Sequence, residues 1–133
     1  MDPSVLTTVT KAVRLAPEKS GYFYHMGHWV DMNNDGRKDY IIARTDGKPG
    51  KGELIWLEHP EDGIASVPWT EHLITTGPDV CTSIYTFEEF PDEIVLFAAE
   101  FFDETLAFYR ISTIDGSLIT KRVIDDQSVL RAY

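Results

Sequence analysis

The residues best suited to chemistry lie in one run, Asp31-Met32-Asn33-Asn34-Asp35-Gly36-Arg37-Lys38-Asp39. Oxygen-bearing side chains stand at loop positions one, three, five and nine, with glycine at six. Calcium is a hard cation that takes six to eight oxygens, and alternate placement lets a tightly curled loop turn its ligands inward. The pattern assigns side-chain ligation to Asp31, Asn33, Asp35 and Asp39, and main-chain carbonyl ligation to Arg37. Gly36 permits the sharp turn, while Met32, Asn34 and Lys38 face away. A helix-flanked calcium loop needs a bidentate glutamate at position twelve. Position twelve is Ile42, inside an apolar run. The loop therefore joins two strands, and Asp39, opening the outgoing one, is the expected bidentate ligand. An Asn/Asp/Gly-rich hairpin turn is the plain alternative, but it needs two or three such residues and not four ligands in register.

The densest polar-aromatic cluster is Tyr22, Tyr24, His25, His28 and Trp29. On a strand the odd separation of His25 and His28 places them on opposite faces, so they do not share a metal. Were this an innermost strand lining a channel, Tyr24, His25, His28 and Trp29 would be candidates for contacting a sugar or peptide. Ordinary aromatic packing is the competing reading. His59 and His72 read as surface histidines. Glu88, Glu89, Asp92 and Glu93 read as a solvated turn, since clustering in sequence does not set the carboxylate separation that glycoside chemistry requires. There is no placeable Ser-His-Asp arrangement, no Gly-rich phosphate loop before a helix and no zinc spacing. Nothing in the sequence demands catalysis.

Strands must position these groups, because turn residues punctuate the chain at short intervals and the stretches between are rich in β-branched and aromatic residues. Strands are predicted at 8–14, 22–30, 39–44, 53–58, 69–75, 82–87, 93–100, 105–112 and 117–125. Residues 92–100 also suit a helix capped by Asp92. An internal comparison favours the strand: Asp39-Tyr40-Ile41-Ile42-Ala43 matches Glu93-Ile94-Val95-Leu96-Phe97 in character, as Leu54-Ile55-Trp56-Leu57-Glu58 matches Leu106-Ala107-Phe108-Tyr109-Arg110. Val13, Leu73 and Val123 close similar segments, 60 and then 50 residues apart. Such spacing suits a four-stranded blade of a β-propeller or a similar array. The chain is expected to be all-β, with two four-stranded antiparallel blades belonging to a larger propeller. Residues 1–15 supply the last strand of a preceding blade, 16–78 a calcium-binding blade, 79–126 a second blade lacking the metal loop, and 127–133 the start of another.

The formal net charge is −10, from 22 acidic and 12 basic residues, a balance that repels nucleic acid and suits solubility or divalent cations. Cys81 is the sole cysteine, so an intrachain disulfide is excluded, and a buried free thiol is expected. No apolar run has the length of a membrane span, so no membrane insertion is expected. Met1-Asp2-Pro3-Ser4 lacks the features of a signal peptide, which places any targeting segment outside this chain.

The calcium run and its continuation Tyr40-Ile41-Ile42, then Gly52-Glu53-Leu54-Ile55-Trp56-Leu57-Glu58-His59-Pro60 and Trp69-Thr70-Glu71-His72-Leu73-Ile74, resemble an FG-GAP/VCBS-type repeat, the blade unit of integrin-α-like propellers. The resemblance covers about residues 22–78 well and residues 80–125 weakly. It carries the family's calcium ligands onto Asp31, Asn33, Asp35, Arg37 and Asp39 only, since Phe87-Glu88-Glu89-Phe90-Pro91-Asp92-Glu93 is too short and lacks the glycine. It implies a calcium-binding, extracellular or cell-surface module for adhesion or recognition, whose partners are a protein or glycan ligand and the blades or subunits that complete the array. Two other functions fit the same residues: the propeller portion of a carbohydrate-active enzyme with its catalytic groups outside this chain, or a structural repeat of a surface filament or assembly.

Overall fold

The computed structural model describes residues 12–126. Eight strands follow one another: β1 Phe23–Val30, β2 Asp39–Thr45, β3 Glu53–Glu58, β4 Thr70–Thr76, β5 Cys81–Phe87, β6 Phe90–Glu100, β7 Thr105–Ser112 and β8 Leu118–Asp125. One 3₁₀ turn, Phe101–Asp103, separates β6 from β7. The strands form two four-stranded antiparallel sheets in sequential order, β1-β2-β3-β4 and β5-β6-β7-β8. The described chain is thus all-β, and neither sheet closes on itself.

Alternation along the strands explains how the sheets meet. Ile41 and Ala43 of β2 and Leu54 and Trp56 of β3 project from one face of the first sheet. They join Ile94, Leu96 and Ala98 of β6 and Ala107, Tyr109 and Ile111 of β7 in a single buried cluster. The sheets therefore pack face to face. The intervening residues of the first sheet, Ile42, Ile55 and Leu57, form a second cluster on its outer face with Trp69, covered by Leu15 and Ala16. Apolar demand on both faces is why β2 and β3 read as continuous apolar runs rather than alternating ones. Among the described residues the outer face of the second sheet has no such cover. Tyr85, Phe97 and Phe108 make a row across three strands, with ring centroids 5.6 and 5.9 Å apart, and Tyr85, Phe97 and Leu106 are exposed.

Several expectations change in detail. The expected strand at 8–14 lies outside the described residues as far as residue 11, and residues 12–15 form no strand. Leu15 and Ala16 act instead as a cover, and the Leu15 carbonyl accepts the Trp69 N–H at 2.7 Å. Residues 127–133 also lie outside the described residues. β6 starts at Phe90, because a two-residue Glu88-Glu89 turn lets Phe87 and Phe90 pair across the hairpin. The predicted burial of Cys81 is wrong: it opens an edge strand with its thiol exposed. The 92–100 ambiguity resolves as strand.

One buried charge network lies on the outer face of the first sheet. Arg44 donates to both oxygens of Glu71, at 2.6 and 2.7 Å, and to Glu53 at 2.9 Å, which also holds Lys19. Burial works against ionisation of Glu53, but Lys19 and Arg44 outweigh it and hold this carboxyl below its ordinary 4.5. A carboxyl that binds its proton less readily folded than unfolded adds stability above the unfolded value, and that stability is lost as the pH falls through the folded value. Arg44→Met should therefore cost about 3 kcal/mol in urea unfolding at neutral pH, by leaving Glu71 without its cation and Glu53 with Lys19 alone. The gap from wild type should narrow below pH ~4.5 as Glu53 takes up its proton.

Candidate metal centre

The β1–β2 loop is curled by its own side chains. Asp31 accepts the Asp35 N–H at 3.2 Å and the Gly36 N–H at 2.8 Å, one on each carboxylate oxygen. Asn33 Oδ1 accepts the Asp35 N–H at 3.2 Å, and Asp35 Oδ1 accepts the Arg37 N–H at 2.8 Å. Side chains of this kind stabilise turns by taking up loop amides. Two residues adopt positive φ, Asn34 at 57° and Gly36 at 85°, the conformation that favours asparagine and glycine. Met32 enters the core between the sheets, fully buried, while Asn34 and Lys38 are exposed.

Asp39 is the anchor. Its side chain is completely buried, and its two oxygens accept the Met32 N–H at 2.7 Å and the His59 N–H at 2.8 Å. It thereby ties the start of the loop to the turn after β3. Burial pushes its carboxyl above the ordinary range; the two N–H bonds pull it back, and the charges of Asp35 and Asp31 add to the rise. Asp35, at the surface, is held below its ordinary value: slight burial is outweighed by the Arg37 N–H, Asn33 and the Arg37 charge.

Sequence reasoning missed the Arg37 side chain. Its guanidinium pairs with Asp35 Oδ2 at 2.5 Å and donates through Nε to the His59 carbonyl at 3.2 Å. Glu58 was missed too. It accepts from the Asn33 amide at 3.4 Å and meets His72 Nε2 at 2.8 Å, while His72 stacks on Trp56 with ring centroids 4.1 Å apart. His59 is not the surface histidine expected: its ring packs edge-on against Trp69 at 4.9 Å, and its Nδ1 is buried without a hydrogen bond.

The donor chemistry fits a hard cation. Three carboxylates and an amide oxygen lie in one short loop, near enough that Asp31 and Asp35 act on Asp39, and each N–H bond leaves an oxygen a further lone pair. Among the described residues, however, no three His, Cys, Asp or Glu side chains are grouped to hold a metal ion. The cation on Asp35 in this geometry is Arg37.

The aromatic cluster is divided. Tyr24 and Trp29 share the outer face of β1, opposite Arg44 and Tyr40. Trp29 is half exposed against Tyr40, at 4.7 Å. His28 turns inward, with Nε2 3.1 Å from the Thr82 carbonyl and hydroxyl oxygens at the sheet–sheet boundary. His25 is exposed in a bulge. Glu88, Glu89 and Asp92 are exposed, and Glu93 forms a forked pair with Arg110 at 2.8 and 2.9 Å.

Asp39→Asn should lower stability by about 1–3 kcal/mol in excess chelator, because an amide nitrogen cannot accept and leaves one buried N–H unpaired. Asp35→Ala, at the surface, should cost less under the same conditions. Urea unfolding of both variants in EGTA checks the order. No family model, curated protein or solved structure matches this chain.

Proposed function

We propose that this chain is a calcium-stabilised, non-catalytic pair of β-propeller-type blades serving extracellular recognition or adhesion. The observation that carries the reading is the 31–39 loop. Four oxygen side chains at alternate positions are drawn into one curl and fastened to the sheet by a buried carboxylate. Asp31, Asn33, Asp35, Asp39 and the Arg37 carbonyl would hold the ion. Bound there, calcium would neutralise the mutual repulsion of the carboxylates.

The architecture supports the repeat. Segments 39–43 and 93–97, alike in sequence, fall in β2 and β6, the second strand of each sheet; segments 54–58 and 106–110 fall in β3 and β7, the third. Each sheet is an up-and-down meander of four strands, and the two stack through apolar faces as blades do. The uncovered aromatic row on the second sheet marks where another blade would continue the array. Modules outside the cell bind calcium at roughly 0.1–1 mM, a concentration the resting cytosol does not supply. Ligands of such a module are a protein or a glycan, met through loops.

Calcium titration during thermal melts tests the reading. The wild-type midpoint should rise, with stabilisation approaching about 2.7 kcal/mol at a hundredfold excess over Kd. Asp31→Ala and Asp35→Ala should abolish the rise, and Glu89→Ala should leave it intact. A wild-type midpoint that ignores calcium, with no heat of binding in calorimetry, makes the loop a turn only.

A further inference from the structure

The 31–39 loop carries two cations of its own, Arg37 and Lys38, and they are placed differently. Lys38 is exposed and makes no ion pair among the described residues. Arg37 is held at two points of its guanidinium: Nε donates to the His59 carbonyl at 3.2 Å, and Nη2 meets Asp35 Oδ2 at 2.5 Å. Its main-chain N–H donates to the other oxygen, Asp35 Oδ1, at 2.8 Å. A single residue thus occupies both oxygens of the carboxylate at loop position five. The His59 carbonyl is a firm support, because the N–H of the same residue is bound by the buried Asp39 at 2.8 Å.

That placement implies competition. Two cations drawn to one carboxylate repel each other, so a guanidinium seated on Asp35 opposes a metal ion that needs the same oxygens. The loop amides do not enter this contest: Asp31 and Asn33 already take up the Asp35 N–H, and Asp31 the Gly36 N–H. Resting on the calcium reading of residues 31–39, we infer that the Arg37 guanidinium is the resident counter-cation of Asp35. It yields Asp35 when calcium binds, and its hold sets the calcium concentration at which the loop loads. The pair is within reach of solvent, with the Arg37 and Asp35 side chains 32% and 22% accessible, and an ion pair so placed is held weakly. Calcium, with two charges and six to eight oxygens to gather, has the advantage over a single guanidinium. After the exchange the Arg37 carbonyl, the ligand at position seven, is still in the loop. One residue thereby offers a ligand from its main chain and a competitor from its side chain, and the side chain alone adjusts the affinity.

Two neutralisations test the competition. Arg37→Gln keeps the main-chain N–H and carbonyl and removes the competitor, whereas Lys38→Gln removes an equal charge from the next position without touching Asp35. Neither residue belongs to a core cluster, so both variants should fold, which circular dichroism checks. Calcium binding to the wild-type 133-residue chain and to both variants is measured by isothermal titration calorimetry. Arg37→Gln should bind about tenfold more tightly than wild type, and Lys38→Gln less than about threefold more tightly. In thermal melts, Arg37→Gln should start no higher than wild type in EGTA and gain more from the same added calcium. An Arg37→Gln affinity no tighter than wild type, or an equal gain in Lys38→Gln, overturns the competition and leaves the calcium reading standing. If neither wild type nor Arg37→Gln binds calcium, both fall. Binding by Arg37→Gln alone supports the competition, with the guanidinium keeping the loop closed to calcium.

Discussion

The buried carboxylate of Asp39 is the constraint on which the arrangement around the loop depends. It accepts an N–H from Met32, inside the loop, and another from His59, after β3. One side chain thus closes the loop and fixes it to the far end of the neighbouring strand. The Met32 bond holds the backbone where the Met32 side chain drops between the sheets, so the loop contributes to the same core that joins β2 and β3 to β6 and β7. Asp79 does similar work elsewhere. Nearly fully buried, it accepts the N–H groups of Phe101 and Phe102, both at 2.8 Å, and so holds the 3₁₀ turn that follows β6. In both places a buried aspartate supplies acceptors to turn amides that have no ladder partner, which is what allows such turns to pack against apolar residues.

The crossing between the sheets imposes a second constraint, this time on size. Gly52, just before β3, accepts the Gly77 N–H at 2.9 Å, and a Cβ built on Gly52 would meet the Gly77 carbonyl oxygen at 2.2 Å. Only a residue without a side chain permits that approach. The close contact leads the chain from β4 toward the second sheet beside Tyr109 and Glu100, which are hydrogen-bonded to each other in the interior. Lys121 of β8 reaches the same glutamate at 2.7 Å. Backbone proximity, apolar alternation and one buried polar group therefore act together to hold the sheets face to face.

Strand positions and fold class could be read from the sequence because β-branched and aromatic stretches alternate with Gly- and Asp-rich turns, a local signal that survives without tertiary information. The loop oxygens were readable for the same reason: their spacing is local. What could not be read depends on distant partners. Nothing near Cys81 announces that it opens an exposed strand, and nothing near His59 announces that Trp69 will enclose its ring. Where Tyr24, His25, His28 and Trp29 point could not be read from spacing, because a bulge after Tyr24 changes the alternation and because β5 arrives beside His28. A strand at 8–14 was expected, but its described residues 12–14 form none, and Leu15 and Ala16 cover Trp69 without entering a ladder.

Arg37 shows how a local pattern can be silent about a side chain's partners. By sequence it supplies a carbonyl at loop position seven; by structure its guanidinium also neutralises Asp35 and reaches back to the His59 carbonyl, the residue whose N–H Asp39 holds. Two residues of the loop, one anionic and one cationic, thus grip the main-chain N–H and carbonyl of the same residue. The Asp39 grip is buried and the Arg37 grip is near the surface. Solvent weakens an ion pair at the surface far more than one in the interior. The curl can therefore persist on Asp39 and its own amide bonds while Arg37 exchanges Asp35 for water. A divalent cation competing for Asp35 would have to displace only this outer contact, leaving the buried anchor in place.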